Sequence, residues 1–542
     1  MRKLLTSVFA ALLTGTLFAA GLVTNTNQSA AWVRLPARNA STDIDAAYYN
    51  PAGMTKLEDG FHFSLSNQTI FQTKTVVNNY KGPGGFYGLN DPKYIGDIKA
   101  PVFPGIYAVY KKNRLAFSLG FNPVGGGGGA TYKTGLPSFE MSPSDLVPAL
   151  ASQGAEGYKL DAYLKGTSVY FGLQGGIAYK INDKLSLGVG LRYVMAKNTY
   201  SGHLTDIELN MGGTWIRADQ IMTGIATQAK GGGDALNPLI TGGLGGLTPA
   251  QAAGAGYISP VVAATITGGL TQLGVPNASS LTIAQSQAAY YGAEAKYTAT
   301  ATLLGDQSVD VTQNGSGISP IFSVNISPTE NVNFAVRYEM RTKMDVTNKT
   351  KSDFLLGFTA TGTPITMFPN GEKTPSDMPA LLAAGIDFKV APKVKISLGA
   401  DYFFDKQANY GHKLDLVPSA PATFVANSQI IDQNGYDLCG GLEWKLSDKL
   451  LVSAGYLWAN KGVNSLYQSD LTYANATSTY GFGGAYSVMK NLKITLGGSI
   501  TTYVLDETYV DHIFAATNTL YTPLETHTKT TWMFAIGVDY SF

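Results

Sequence analysis

Three arginines have the chemistry to hold an anion. In the run NVNFAVRYEMRTKM, Val332, Phe334, Val336, Tyr338 and Met340 share one face of an extended chain, while Arg337, Glu339, Arg341 and Lys343 share the other, because side chains alternate along a strand. Arg192 has the parity of the polar face in LSLGVGLRYVMA. A guanidinium can take a carboxylate through two parallel hydrogen bonds, so Arg192, Arg337 and Arg341 are candidates for binding a carboxylate-bearing ligand. The residues alone leave a second role open to them: neutralising Glu339 and Asp387, or holding another part of the chain in place. Other chemistry is sparse. The five histidines, His62, His203, His412, His512 and His527, accompany no nucleophile motif. No catalytic residue is therefore assigned, and no enzyme is expected. The lone Cys439 excludes an internal disulfide, and no Cys cluster stands ready for a metal. No metal and no cofactor are expected. A net charge of +1 gives no electrostatic case for a nucleic acid partner.

The elements that position these arginines read as membrane strands. The chain has 542 residues, 44% hydrophobic and only 14% charged, with 62 Gly and 31 Tyr; a soluble domain carries roughly 25% charge. Arg2 and Lys3 followed by the apolar run Leu4 to Ala20 read as a signal peptide over residues 1–21. No later run of apolar residues is long enough for a membrane helix. Strands fit instead. TTWMFAIGVDYSF sets Trp532, Phe534, Ile536, Val538, Tyr540 and Phe542 on one face, with small or polar residues opposite. NLKITLGGSI and KVKISLGADYFF repeat that pattern, as expected where one face meets lipid and the other a lumen. Short polar connections at 111–113, 182–183, 327–331, 391–393, 447–449 and 489–491 read as tight hairpins. With an opening strand near 61–76 and a closing strand at 528–542, they imply about fourteen strands, an even number with both termini in the periplasm. The fold class is thus an all-β transmembrane antiparallel barrel over 61–542. Its long extracellular connections lie at about 205–297 and 351–375.

The segment from residue 22 to 60 enters before the barrel and is rich in small residues. A barrel of about fourteen strands leaves a lumen to fill, and this segment is the expected hatch. Its stretch ARNASTDIDAAYYNPAGMTKL resembles the N-terminal hatch of the FadL-type outer-membrane transporters, in which an Asn-Pro-Ala motif is matched here by Asn50, Pro51 and Ala52. The resemblance covers hatch, hairpin spacing, long early loops and the terminal Phe542. It implies a fourteen-stranded barrel in the Gram-negative outer membrane that takes up long-chain fatty acids or aromatic hydrocarbons. It also implies ligand capture between extracellular loops and lateral release beside a kink in the third strand.

In this chain the third strand, RLAFSLGFNPVGGGGGATY, loses its alternation at Asn122 and Pro123 and runs into Gly125, Gly126, Gly127, Gly128 and Gly129. Proline cannot donate to a ladder and glycine weakens it, so these residues are the candidates for the lateral opening; the other reading is that they begin an extracellular loop. The apolar stretches in 205–297, and FLLGF and ITMF in 351–375, are expected either to form a groove for an apolar ligand or to pack on one another over the mouth. The partners expected are that hydrophobic small molecule, outer-membrane lipid and, through Phe542, the barrel-assembly machinery. A closed barrel needs no second copy, so a monomer is expected. A general porin for polar solutes and a surface adhesin or receptor using the long loops are the alternative functions.

Overall fold

Strict alternation of apolar and polar residues builds the wall of the molecule. The computed structural model describes residues 22, 24–359, 361–412 and 424–542. The expected signal peptide, residues 1–21, lies outside the described residues. Fourteen antiparallel strands close into one barrel. The first seven are β1 (Gly60–Asn78), β2 (Lys93–Lys112), β3 (Leu115–Tyr132), β4 (Ala155–Lys180), β5 (Leu185–Met211), β6 (Gln307–Thr329) and β7 (Val332–Glu339, resuming as Asp345–Ser352). The second seven are β8 (Leu381–Ala391, led in by Lys373–Pro375), β9 (Val394–Phe403), β10 (Tyr436–Lys445), β11 (Leu450–Asn460), β12 (Thr477–Met489), β13 (Leu492–Tyr503, resuming as Asp506–Tyr509) and β14 (Leu524–Ser541). β1 pairs with β2 on one side and with β14 on the other, which closes the sheet and removes its edges. The six short connections read from the sequence are the hairpins β2–β3, β4–β5, β6–β7, β8–β9, β10–β11 and β12–β13.

Outward-facing residues form an apolar belt. Leu65, Leu119, Val189, Phe322, Leu398, Phe482 and Leu496 keep between 49% and 60% of their surface exposed. A contiguous apolar surface of that extent is foreign to a water-soluble protein and fits hydrocarbon. The inward row is polar and buried, with Gln68, Gln174, Arg192, Asn325, Arg337 and Ser397. The Arg337 and Arg192 parity read from the sequence is the observed one.

Residues 24–57 pack against the inner face of the wall as a plug-like segment. Helix α1 (Ala30–Arg34) starts at Ser29, whose hydroxyl accepts from the Trp32 N–H at 3.1 Å. Helix α2 (Ala46–Tyr49) runs into a tight turn over Pro51–Lys56. Glycines on the inner wall let this plug lie against the strand backbones. A Cβ at Gly385 would stand 2.7 Å from the Ala40 nitrogen, one at Gly188 2.8 Å from the Ala52 nitrogen, and one at Gly481 2.5 Å from the Val33 carbonyl oxygen.

The outer mouth carries the long connections. Helix α3 (Pro137–Ala149) packs with Tyr200, Phe354 and Phe368 in one buried apolar cluster. FLLGF and ITMF thus cover the mouth, with Phe354 edge-on to Phe139 and Phe368 stacked on Tyr200 at 4.7 Å. β5 runs on to Met211, so the largest insertion begins later than the sequence suggested. Its helices Ala218–Asp234, Pro260–Gln272 and Ile283–Leu304 bury Ala229, Ile266, Leu270, Ile283 and Tyr290 against one another. Of the two arrangements open to the apolar loop stretches, packing on one another is the one observed.

Candidate functional site

A gap in the wall lies between β2 and β3. Their ladder runs from Lys112–Leu115 to Ile106–Phe121, stops, and resumes at Ile98–Ala130. Between these points β2 stays paired with β1 except at a bulge over Pro101 and Val102, and β3 stays paired with β4 except at Val124 and Gly127, but the two banks do not pair with each other. Asn122, Pro123 and the glycine run are therefore strand, not the start of a loop. The β3–β4 register slips at Pro123/Gly125 and again at Gly126/Gly128. Gly126 has φ +84°, and a Cβ there would stand 2.2 Å from the Ser168 carbonyl oxygen, so only glycine makes this bend without strain.

Unpaired backbone in hydrocarbon costs several kcal/mol per group, so a stable gap needs substitutes for the missing ladder. The plug's leading segment supplies them on the β3 bank. Asn25 N–H donates to the Val124 carbonyl at 2.9 Å, Gln28 Nε2 to the Pro123 carbonyl at 2.9 Å, and Thr24 bridges to Gly125. Asn122 Nδ2 donates to Gln28 Oε1. On the β2 bank Pro101 and Pro104 have no N–H to satisfy. Asn67 Nδ2 and Thr69 Oγ1 of β1 donate to the Pro101 carbonyl at 3.0 and 3.1 Å, and the Phe103 N–H donates to Asn67 Oδ1 at 3.0 Å. Sequence reasoning missed this bank. The signal was present, since PVFPG at 101–105 puts two prolines in an otherwise strand-like run.

The Asn-Pro-Ala segment fastens the plug to β6. Asn50 Nδ2 donates to the Ser41 carbonyl at 3.0 Å and to Asn325 Oδ1 of β6 at 2.7 Å, and Asn50 Oδ1 accepts from the Gly53 N–H at 3.2 Å. Pro51 opens the turn, where a missing N–H costs nothing. The Ala52 N–H donates to Ser323 Oγ at 2.8 Å. Inside the plug Arg38 clamps Asp45, with Nε and Nη2 at 3.0 and 2.7 Å from its two oxygens.

Arg192 and Arg337 meet over Tyr48 of the plug, each guanidinium carbon 4.8 Å from its ring centroid. Arg192 holds Glu339 through both nitrogens at 2.7 and 2.9 Å, and also donates to Gln174 Oε1. Arg337 lies 3.0 Å from the same carboxylate and donates to the Tyr48 carbonyl. Of the two roles open to this pair, neutralising Glu339 and holding the plug is the arrangement present. Arg341 stands apart near the outer mouth, donating to the Gln407 carbonyl, with Asp377 at 3.8 Å. Asp387 is neutralised by Lys395 at 3.3 Å, not by an arginine.

Two spaces flank the plug. A polar vestibule of ≈ 950 Å³ at the short-turn mouth is lined by Arg34, Asp43, Lys395, Glu443 and Lys493 among others. A smaller cavity of ≈ 280 Å³ lies on the outer side, bounded by Leu22, Ile98, Gly126, Ala130, Leu471 and Tyr473 among others. Ile98, Gly126 and Ala130 also border the gap, so this cavity adjoins it. In the connection that roofs the cavity, burial and the neighbouring Glu525 carboxylate push Asp470 up to about 6. Asp470 Oδ2 accepts from the Ser138 N–H of α3 at 2.9 Å, tying that connection to the helix.

No family model matches the chain, and no curated protein matches it in sequence. Among solved structures it is similar to a Pseudomonas aeruginosa FadL homologue, with TM-score 0.56 and 12% identity over 96% of this chain and 100% of that one. It is also similar to the TodX deltaS2S3 mutant monoaromatic hydrocarbon channel, with TM-score 0.52 and 12% identity over 96% of this chain and 100% of the other. Similarity at that level of identity is one of fold. The fold is that of the FadL-type outer-membrane barrels.

Proposed function

We propose that the protein takes up hydrophobic small molecules, long-chain fatty acids foremost, across the outer membrane of a Gram-negative bacterium by a passive relay. The ligand is captured as the apolar segments packed over the outer mouth part, passes to the ≈ 280 Å³ cavity, and leaves sideways into lipid between β2 and β3. The observation that carries this reading is the gap itself. Each bank carries backbone groups capped by side chains or by the plug's leading segment, and the β2 bank has prolines where an N–H would otherwise be left. A mere defect would leave those groups bare.

Magnitudes favour a relay over a tight trap. Each buried CH₂ is worth ~0.8 kcal/mol, so a long acyl chain would gain on the order of 10 kcal/mol before the ordering costs of binding are subtracted. A site using all of it would hold its cargo too long. A short chamber that grips part of the chain and opens to lipid lets the gradient drive uptake. The plug, fastened by Asn50, Ala52, Arg192 and Arg337, blocks the straight path that a polar-solute porin needs.

Liposomes containing the purified protein test the reading. Labelled oleate added outside should partition faster into protein-containing bilayers, while sugars should not enter and swell the vesicles. Sugar entry without faster oleate partitioning would overturn the proposal in favour of a porin.

A further inference from the structure

Lys74 of β1 and Lys529 of β14 stand directly opposite each other in the ladder and face the lumen. Like charges placed directly opposite destabilise an antiparallel pair, and enclosed charges are normally matched by a counter-charge. The lumen's other enclosed cations are. Arg34 has Glu443, Arg192 and Arg337 share Glu339, Lys395 has Asp387 and Glu443, Lys493 has Asp539, and Lys461 has Asp437, all within 3.4 Å. Among the described residues no carboxylate lies within ion-pair distance of Lys74 or Lys529. Their neighbours are aromatic. Lys529 lies 4.1 Å from the Tyr473 ring centroid and 5.7 Å from that of Tyr503, and donates to the Tyr473 carbonyl at 2.6 Å. Lys74 lies 5.3 Å from the Tyr473 ring. An ammonium has three donors, so most of the donors of this pair are free.

Both lysines line the ≈ 280 Å³ cavity that adjoins the gap. They are enclosed by the barrel yet keep intermediate exposure, because the surface they expose faces that cavity. Its volume is at the small end of ligand pockets, which run from about 300 Å³ upward. It suits a head group and the first part of a chain, with the remainder elsewhere.

We propose that Lys74 and Lys529 form a two-point anion site that seats the carboxylate head of a single-tailed amphiphile, with Tyr473 as its cap and the tail running past Ile98, Gly126 and Ala130 into the gap. The inference rests on the uptake reading and narrows it, since it makes the substrate an anionic amphiphile and not a neutral hydrocarbon. It also moves the carboxylate site from Arg192 and Arg337, which are committed to Glu339 and the plug, to the lysine pair. The head enters by displacing Tyr473 from Lys529, so loading and lifting of the 461–476 connection are linked.

Dodecanoate and dodecanol, equal in tail and different in charge, are the probes. Binding is measured by calorimetry on the wild type, Lys74→Gln, Lys529→Gln, the double variant and Lys74→Arg, with heat-modifiable gel mobility reporting an intact barrel. The wild type should prefer dodecanoate. Each glutamine variant should lose about tenfold in dodecanoate affinity, as expected for a charge-assisted hydrogen bond. The double variant should bind both probes alike, and Lys74→Arg should behave as wild type. Equal binding of the two probes by wild type, or a preference surviving in the double variant, would overturn the site. Liposome transfer of dodecanol separates the two levels: transfer without charge preference sinks the lysine site alone, and no transfer of either probe sinks the uptake reading with it.

Discussion

Replacing Glu339 with glutamine should unseat the plug and leave the barrel closed. Glu339 is the carboxylate that Arg192 and Arg337 share, at 2.7 and 3.0 Å, and all three side chains are at most 8% exposed. Removing one partner from a buried ion pair costs ~3–5 kcal/mol, because an uncompensated charge is left behind; here two are left. The strands cannot relieve the penalty by moving. Arg192 lies on β5 between β4 and β6, and Arg337 on β7 between β6 and β8. The plug can relieve it: lifting Tyr48 off the two guanidiniums lets water reach them. At about 1.4 kcal/mol per factor of ten, the seated-to-unseated ratio should fall by roughly a hundredfold to a few thousandfold. Planar-bilayer recordings read this as openings that are rare in wild type and frequent in Glu339→Gln. Replacing all three residues with methionine should close the channel again, because an apolar substitute for a buried ion cluster is commonly neutral or better. Wild-type conductance in Glu339→Gln, with heat stability of the barrel lowered in its place, would refute the reasoning.

Gly385→Ala should also loosen the plug, since the new methyl would stand 2.7 Å from the Ala40 nitrogen; overpacking of this kind costs about 1–3 kcal/mol. Hydrogen exchange at residues 30–56 should rise while strand exchange stays unchanged. Asp470 has a raised folded pKa of about 6, so the folded state binds its proton more tightly than the unfolded chain does. The docking of the 461–476 connection is therefore strongest below the unfolded value, and weakens as pH rises from about 4 to 6. Asp470→Asn should abolish that dependence, measured as protease cleavage of the connection against pH. Deleting Phe542 should slow insertion into the outer membrane in cells, because the strand that closes on β1 ends there, with Phe61 and Phe542 exchanging hydrogen bonds at 2.7 and 2.9 Å. Pulse-labelling of the heat-modifiable form reads that rate; an unchanged rate would show that the terminal residue is no assembly signal.

The wall was legible in the sequence because lipid imposes a strict period of two. Trp532, Phe534 and Ile536 face out, as their alternation implied, and the six polar turns fall where the hairpins are. The segment that packs against the inner wall was marked by its position and small residues, but its seat was not. Gly188, Gly385 and Gly481 look like weak points in strands until the plug backbone is seen against them. Asn122, Pro123 and the glycine run marked one bank of the gap through broken alternation. Pro101 and Pro104 marked the other, yet a bank is defined by which neighbour it fails to pair with, and pairing is not written in one strand. Arg192 and Arg337 were placed correctly by parity. Parity shows which way a side chain points; the Glu339 and Tyr48 that meet it come from distant parts of the chain. The lysine pair was hidden for the same reason, since Lys74 and Lys529 become neighbours only when the barrel closes.

The most direct test of lateral release joins the two banks of the gap. One cysteine is placed on residues 99–105 and one on residues 122–129, and a reductant-cleavable bismaleimide links them in intact cells. The native Cys439 is buried and lies on β10, away from both banks. Uptake of labelled oleate should fall on cross-linking and return on cleavage, with either single cysteine unaffected. Undiminished uptake through a cross-linked gap would contradict lateral release and place the exit elsewhere.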